Sequence, residues 1–371
     1  SFLHSDKNPQ SISSTRIRCI YQDKLGTLWV GTENGLNKIL IDSSDTNHPK
    51  YKFLVFRSGS NNKSLTDNFI NAIFEDYKQN LWIGTDNGGL VRFNREKNEF
   101  VSYQFDQNNK NTIPDNKINV IFEDQSKELW IGTSNGLCKY NRKEKHFDRV
   151  STSENSIGNK DNIIKALFQD NAGFLWIGSE GGGLYKLDIS KQRITAYQYE
   201  ANNNHSLSNN NVYSVFEDRT GTMWIGTNVG INKFDISKQN FYTYKSSALK
   251  NSLNTNIIWA IYEDANIVWL GTDIGISKLN KEDGTFYNYN LPEQFIKDGN
   301  SNVYALIKSE ANKLIIGTNS GVLEFSIQQN RFDWLRSVNS KSNKLNNKRC
   351  YTIFFDKNRN YWFGTRDGLM F

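Results

Sequence analysis

Few residues in this chain have the type and spacing that catalysis requires. The four histidines and three cysteines show no His–His, Cys–His or Cys–Cys spacing typical of a metal site. Glu180 and Asp273 are candidates for the two carboxylates of a glycosidase, but their spacing does not support that role. We therefore predict no catalytic residue, no metal and no cofactor, and we expect the chain not to be an enzyme.

A binding function is better supported, by eight residues that stand at the second position of eight similar strands. In chain order they are Arg18, Asn71, Asn119, Lys165, Tyr213, Trp259, Tyr304 and Tyr351. Four polar or basic residues precede four aromatic ones. Aromatic faces can stack on sugar rings, while Arg, Lys and Asn meet hydroxyl or sulfate groups. We predict an oligosaccharide or another polar ligand here; the alternative is that the aromatic rings only fill gaps between sheets.

Glycine turns near the same positions supply further charged side chains. These are Glu33, Asp86, Glu180, Asp273 and Arg366. We add Glu180 and Arg366 to the predicted ligand contacts. The alternative is that these turns only satisfy a backbone with positive φ, which glycine tolerates.

These residues are positioned by an internal repeat. Seven of the nine tryptophans lie in one phrase of the Leu-Trp-Ile-Gly-Thr type, at intervals of 45 to 53 residues where consecutive copies both carry it. They are Trp29, Trp82, Trp130, Trp176, Trp224, Trp269 and Trp362. An eighth copy, Leu314 to Thr318, has lost its tryptophan. A fixed period of this length predicts a repeat architecture.

Each repeat contains four short strands and no helical period. One copy runs from an apolar strand at Ile70 to Asp76, through the tryptophan strand Leu81 to Thr85 and a glycine turn, to a third strand at Leu90. A short aromatic strand follows, such as Phe53 to Phe56 in the first copy. Four strands per 45 to 50 residues are typical of a β-propeller blade.

The phrase itself fits a sheet that is covered on both faces. The tryptophan supplies contact area between blades, and the glycine after it allows close approach of the next sheet. An aspartate stands six residues before the tryptophan in most copies, which suits an Asx turn. We assign the seven tryptophans a structural role.

We count eight blades. Their first strands begin near residues 17, 70, 118, 164, 212, 258, 303 and 350. The last copy stops at Phe371 without a fourth strand, and Phe2 to His4 can supply it. We therefore predict an all-β fold, a single propeller over residues 1–371; the alternative is seven blades plus one extra repeat.

Composition excludes several other classes. The net charge of +6 is small and scattered, so we expect no nucleic-acid partner. No stretch approaches 18 apolar residues, so we expect no membrane contact by this segment. The chain opens without a methionine, and we expect a processed or trimmed piece.

The phrase Asp-x-x-Gly-x-Leu-Trp-Ile-Gly-Thr-x-x-Gly-Leu resembles the two-component regulator propeller repeat. The segment from Asp218 to Ile231 is a nearly complete copy. The resemblance covers essentially the whole chain and implies the periplasmic sensor region of a hybrid histidine kinase in a glycan-degrading gut bacterium. In that family the repeats form two propellers, usually with seven blades each, ahead of an immunoglobulin-like domain, a membrane span and a kinase. This sequence shows no span, no kinase phosphoacceptor region and no second full propeller, so we expect a fragment or a truncated relative.

The resemblance implies signal transduction by a non-enzymatic domain. It also implies partners: a second propeller, downstream signalling domains and a second copy in a homodimer. Two alternatives stay open at this point, a protein–protein interaction scaffold and a propeller lyase or glycosidase.

Overall fold

The computed structural model describes residues 2–42, 50–61, 63–150, 163–235, 240–247, 251–310, 312–335 and 348–371. The chain divides into two compact units, which are treated separately below. The first unit comprises Ser1–Leu167 with Phe354–Phe371, and the second comprises Phe168–Ile353.

The described residues form eight antiparallel sheets, each built from strands that are consecutive in the chain. Blade one consists of Ile17–Gln22, Leu28–Thr32, Gly35–Asp42 and Lys50–Phe56, and blade two of Ile70–Glu75, Leu81–Thr85, Leu90–Asn94 and Glu99–Tyr103. Blade three consists of Ile118–Glu123, Leu129–Thr133, Gly136–Asn141 and His146–Arg149, and blade four of Ile163–Gln169, Leu175–Glu180, Leu184–Asp188 and Arg193–Tyr197. Blade five consists of Val212–Glu217, Met223–Thr227, Gly230–Asp235 and Asn240–Tyr244, and blade six of Ile258–Asp264, Ile267–Thr272, Gly275–Asn280 and Phe286–Asn290. Blade seven consists of Val303–Glu310, Lys313–Thr318, Val322–Ser326 and Arg331–Trp334, and blade eight of Cys350–Phe355, Tyr361–Thr365 and Gly368–Met370. The fold is therefore an all-β propeller with eight blades, as the repeat predicts, rather than seven blades and a spare repeat.

The N-terminus contributes to the eighth blade through one residue. The Phe2 N–H donates to the Leu369 carbonyl at 2.8 Å, and the two residues form an isolated antiparallel bridge. The Phe2 ring stacks on Trp362 at 6.5 Å and meets Phe53 edge-on at 5.2 Å. The predicted fourth strand of three residues is thus a single bridging residue, held mainly by its aromatic side chain.

The tryptophan strands are the core of every blade that has one. In blade two all five residues of Leu81–Thr85 are buried, because other elements cover both faces of the sheet. The seven tryptophan side chains of the repeat are at most 2% exposed.

The glycine two residues after the tryptophan lies close to the next blade in several copies. A Cβ placed on Gly31 would lie 2.7 Å from Ile70 Cγ2, and one on Gly84 would lie 2.7 Å from Ile118 Cγ2. In the second unit a Cβ on Gly271 would lie 2.9 Å from Val303 Cγ1. In these blades the expected close approach is confirmed, because a side chain would collide with the first residue of the next blade. A Cβ on Gly226 would instead meet Ser214 of its own blade.

The aspartate six residues before the tryptophan has two functions. In blade five Asp218 Oδ1 accepts the Thr222 N–H at 3.0 Å, which closes the predicted Asx turn. Asp218 Oδ2 accepts the Trp224 indole N–H at 2.9 Å. The same indole bond recurs at 2.7–3.0 Å in blades one, two, three, four and eight.

Basic residues connect some of these aspartates to the next blade. Arg95 donates to Asp23 at 2.7 Å and to Glu75 at 2.8 Å. Lys281 contacts Asp218 at 3.1 Å and Glu263 at 2.6 Å, within the second unit. Because these carboxylates are almost fully buried, their charges need such partners.

Asparagines close the base of the loops between blades. The Asn116 side-chain carbonyl accepts the Phe105 N–H at 2.8 Å, and its backbone carbonyl accepts the Gly89 N–H at 3.0 Å. Asn68 and Asn210 make the same two bonds in their own loops. These residues belong to the scaffold of the loops.

Helix is nearly absent from the described ranges. A 3-10 turn at Glu293–Phe295 is present, and no helix there is long and apolar enough to cross a membrane.

Candidate functional site

The second residue of the first strand lies in a β-bulge in six blades. In blade six Ile258 pairs with Thr272 and Ala260 with Gly271, so that Trp259 is an extra residue on its strand. The same irregularity occurs at Arg18, Asn71, Asn119, Tyr213 and Tyr304. A bulge leaves its extra residue out of the regular ladder and turns its side chain in a new direction. We call these residues, with Lys165 and Tyr351 of the same repeat position, the bulge residues.

The bulge explains why large side chains are exposed beside a fully buried residue. Ile258 is 2% exposed, whereas Trp259, the next residue, is 45% exposed. Tyr213 and Tyr351 are 39% and 38% exposed and also follow buried residues. These aromatic rings therefore do not merely fill gaps in the core.

Three of the aromatic bulge residues form a continuous row in the second unit. The ring centroids of Trp259 and Tyr304 are 5.5 Å apart with planes at 63°, and those of Tyr304 and Tyr351 are 5.3 Å apart at 48°. We call Trp259, Tyr304 and Tyr351 the aromatic row. Its members come from consecutive blades, so the repeat itself sets their spacing.

Polar groups hold the row in place. The Asn302 amide donates to the Tyr304 hydroxyl at 3.0 Å. Arg349 donates to the Tyr351 hydroxyl at 3.4 Å, and its guanidinium lies 6.0 Å from the centre of the Tyr351 ring. The hydrogen bond with Tyr351 raises the pKa of Arg349, whose guanidinium is positively charged in any case.

Tyr213 and Glu180 also belong to the second unit and affect each other electrostatically. Burial raises the pKa of Tyr213, and the Glu180 carboxylate raises it further. Among the four aromatic bulge residues, the described ring contacts join Trp259, Tyr304 and Tyr351 and do not include Tyr213.

The polar bulge residues lie in the first unit, where several already have partners. The Asn71 amide donates to Asp86 Oδ1 at 3.2 Å, and Lys117 Nζ lies 2.8 Å from the same oxygen. Burial raises the pKa of Asp86, but the bonds from Lys117 and Asn71 outweigh it and lower the pKa below its usual value. The Asn119 amide donates to the Ser134 hydroxyl at 3.2 Å.

The basic residues predicted to contact a ligand in that unit are Arg18, Lys165 and Arg366. The Arg18 guanidinium lies 5.1 Å from the centre of the Phe69 ring, and its side chain is exposed. Lys165 is half-buried, and Arg366 is exposed in its glycine turn. The structure thus assembles three of the aromatic bulge residues into one row. Asn119 bonds within its own blade, whereas Asn71 bonds both to Asp86 of its own blade and to the Ile118 carbonyl of the next blade, at 3.2 Å.

Cavities occur elsewhere in the second unit. One of about 510 Å³ is lined by Ser and Asn side chains around Asn254 and Asn290, and one of about 250 Å³ lies beside Tyr199 and Lys245. Neither lining includes a residue of the aromatic row. Trp259 and Tyr351 are 45% and 38% exposed, which suits an extended ligand better than a small enclosed one.

Groups suited to covalent or metal chemistry are lacking at the row. The described residues contain no cluster of His, Cys, Asp and Glu that could hold a metal. Burial raises the pKa of the Cys19 and Cys350 thiols to about 12, so neither forms the thiolate that a nucleophile requires.

Sequence reasoning missed two groups of residues that position the site. The bond from six of the seven repeat tryptophan indoles to an aspartate was missed, although the constant spacing of six residues was a usable signal. Asn302 was missed as well, because its role depends on the bulge that places Tyr304 near it.

The fold defines a class, the β-propeller built from sequence repeats. The family model described as "Two component regulator propeller" matches residues 11–34, 64–87, 112–135, 158–181 and 206–229. Five segments of this chain therefore match the two-component regulator propeller repeat.

Solved structures agree with this fold. The chain matches a structure described as the extracellular domain of the hybrid two component system BT3049 from B. thetaiotaomicron, with 20% identity and a TM-score of 0.58 over 98% of this chain and 52% of that one. It matches the corresponding domain of BT4673 from the same organism with 21% identity and a TM-score of 0.59, over 95% of this chain and 52% of that one. The chain thus spans about half the length of these structures.

A curated relative is similar over a shorter segment. "Histidine kinase P4" of Formosa agariphila is 28% identical over 104 residues, which cover 28% of this chain and 7% of that protein.

Proposed function

We propose that this chain is the ligand-sensing propeller of an extracytoplasmic sensor region in a hybrid two-component histidine kinase. We propose further that the aromatic row binds an oligosaccharide in the periplasm. The repeat family and the extracellular domains that share the fold support the sensor role. The row supports the ligand class.

One observation carries the proposal. Trp259, Tyr304 and Tyr351 form a chain of edge-to-face and tilted rings, and two of them remain more than one third exposed. A large exposed aromatic row is costly in water unless it has a partner. Sugar rings present apolar faces flanked by hydroxyls, and Asn302 and Arg349 place donors at the hydroxyl groups of Tyr304 and Tyr351.

A signalling role follows from ligand energetics. A ligand that binds one conformation of a sensor more tightly shifts the population toward that conformation. We propose that partners of the propeller, namely a second propeller, downstream signalling domains and a second copy in a homodimer, transmit this shift. The residues Arg18, Asn71, Asn119, Lys165, Tyr213, Glu180 and Arg366 stay predicted secondary contacts.

An interaction scaffold is the second candidate function. The same exposed row would also suit a protein partner. The loops around it are rich in Asn, Ser, Lys and Asp, which favours a polar ligand over an apolar protein surface.

The test is a calorimetric and thermal-shift screen of the whole chain against neutral and sulfated oligosaccharides. Ligand at about 100 times its dissociation constant should stabilise the fold by about 2.7 kcal/mol. The Trp259→Ala variant should weaken binding at least tenfold, while the melting temperature falls little because the side chain is 45% exposed.

Tyr287→Ala is the matched control. Tyr287 is 51% exposed and lies on the last strand of the same blade, outside the row. Equal loss of binding in the two variants, or a large fall in melting temperature with unchanged affinity for Trp259→Ala, would refute the proposed site.

A further inference from the structure

The turn after the second strand carries one variable residue in each blade, directly after a buried Thr or Ser. We call it the rim position. The residues are Glu33, Asp86, Ser134, Glu180, Asn228, Asp273, Asn319 and Arg366. The charged side chains that the sequence places in the glycine turns all stand at this position.

In blades one to three the rim side chains receive hydrogen bonds from nearby donors. Arg16 donates to Glu33 at 2.9 Å. Asn71 donates to Asp86, and Asn119 donates to Ser134. In blades two and three the donor is therefore the bulge residue of the same blade, fifteen positions earlier.

In the second unit three consecutive rim positions lack such a donor. The Oδ1 atoms of Asn228, Asp273 and Asn319 are buried and accept no hydrogen bond from any residue that the structure describes. The bulge residues of these blades are Tyr213, Trp259 and Tyr304. An aromatic side chain has replaced the amide that satisfies the rim oxygen in blades two and three.

The unsatisfied oxygens of blades six and seven are linked to the aromatic row. Asn302 touches both sites: its carbonyl accepts the Asn319 N–H at 3.0 Å, and its amide donates to the Tyr304 hydroxyl at 3.0 Å. The preceding residue, Ser301, donates its hydroxyl to the Asp273 carbonyl at 3.2 Å. The loop that contains Ser301 and Asn302 therefore contacts both the rim positions Asp273 and Asn319 and the row residue Tyr304.

An unpartnered polar atom that is buried destabilises a fold unless a ligand or water satisfies it. Asn319 is 6% exposed, and the hydroxyl of its neighbour Ser320 is also buried without a partner within the described ranges. Two amide oxygens and a carboxylate are acceptors only, so they need a ligand that donates.

We infer that Asp273 and Asn319 are the acceptor subsite of the aromatic row, and that they select a sugar carrying hydrogen-bond donors and no negative charge. The inference rests on the proposed function and narrows its ligand class. A sugar hydroxyl can donate to either residue, and an ammonium group on an amino sugar forms a charge-assisted bond with Asp273. A carboxylate or sulfate group at this point would face the Asp273 carboxylate and would be repelled. Arg349 lies at Tyr351, at the other end of the row.

The binding test uses three β-1,4-linked tetrasaccharides that share one backbone: the glucosamine tetramer, cellotetraose and the glucuronate tetramer. Calorimetry on the whole chain should give the tightest binding for the amino sugar and the weakest for the uronate. Asp273→Asn should reduce the preference for the amino sugar over the uronate about tenfold. Asp86→Asn, the same change at a rim position that already has partners, should leave the preference unchanged.

Thermal denaturation without ligand tests the premise that the Asn319 side-chain oxygen has no hydrogen-bond donor. Asn319→Ala should leave the melting temperature unchanged or raise it, because it removes an unsatisfied acceptor. Ser134→Ala, at the same rim position, should lower the melting temperature, because Asn119 loses its partner.

Three results would overturn the inference. The first is uronate binding as tight as that of the amino sugar. The second is a fall in melting temperature for Asn319→Ala as large as that for Ser134→Ala. The third is failure of all three tetrasaccharides to bind at millimolar concentration. If Trp259→Ala abolishes binding while Asp273→Asn changes no preference, the proposed function stands and this inference fails.

Discussion

A single aspartate per blade connects the turn, the tryptophan and, in some blades, the neighbouring sheet. Trp269 shows what happens without it. In blade six the position six residues earlier is Glu263, which lies within the strand and binds Lys281. The Trp269 indole N–H then has no acceptor in the described part of the chain. The tryptophan still packs, so burial of its ring contributes more than its hydrogen bond.

The aspartates make the fold sensitive to acid, and Asp218 is the clearest case. Burial raises the pKa of Asp218, but bonds from Thr220, Trp224, Thr222 and Lys281 outweigh it and hold the pKa at about 2. A folded pKa below the unfolded value of 3.8 stabilises the fold above pH 4, and the stabilisation is lost as the pH falls toward 2. Asp218→Asn should therefore lower the free energy of unfolding at pH 6, and its difference from the wild type should shrink as the pH falls to 2.

Urea titrations of both proteins between pH 2 and pH 6 measure this difference. Asp333→Asn is the control, because Asp333 forms a surface pair with Arg331 and its side chain is 50% exposed. A difference between wild type and Asp218→Asn that stays constant over this pH range would contradict the assignment.

At the scale of the element, the glycine of each tryptophan strand sets the distance between blades. A Cβ on Gly84 would lie 2.9 Å from Ile118 Cβ and 2.7 Å from its Cγ2. Overpacking of this kind typically costs about 1–3 kcal/mol. We expect Gly84→Ala to lower the free energy of unfolding by that amount, measured by chemical denaturation.

The double variant Gly84→Ala with Ile118→Ala checks the cause. If the collision with Ile118 is responsible, the two changes together should destabilise less than the sum of the single changes, because the smaller side chain makes room. Simple additivity would mean that Gly84→Ala acts through the backbone instead.

The strands and their order could be predicted from the sequence, whereas the bulges could not. The phrase around Trp82 recurs at a fixed interval along the chain. Short apolar strands that are buried on both faces, repeated in this way, leave few alternatives to a propeller blade. A bulge is a matter of register between two strands, and nothing in the letters Ile258-Trp259-Ala260 shows that the partner strand skips a residue. For this reason the row was predicted as a set of positions, while its contacts and its link to Asn302 were not.

At the scale of the whole molecule, the N-terminus of the chain is held by Phe2. Its ring packs among Tyr51, Phe53 and Trp362, all in the first unit. Burial of a phenylalanine contributes roughly 1.5–3 kcal/mol. Phe2→Ala should therefore lower the free energy of unfolding by about 2 kcal/mol and increase exchange of the backbone amide of residue 2, which donates to the Leu369 carbonyl.

Leu3→Ala is the comparison for that experiment. Leu3 is 50% exposed, and its loss should change stability by at most about 0.5 kcal/mol. Equal effects of the two variants would mean that the terminus contributes no packing to the eighth blade.

The bulge has an evolutionary consequence. A side chain outside the ladder contributes little to pairing or to the buried core, so mutations there change the exposed surface at little cost in folding stability. Asn71 and Trp259 occupy the same site of the repeat yet have unrelated chemistry. The bulge positions can therefore diverge from one repeat to the next while the scaffold remains under separate selection.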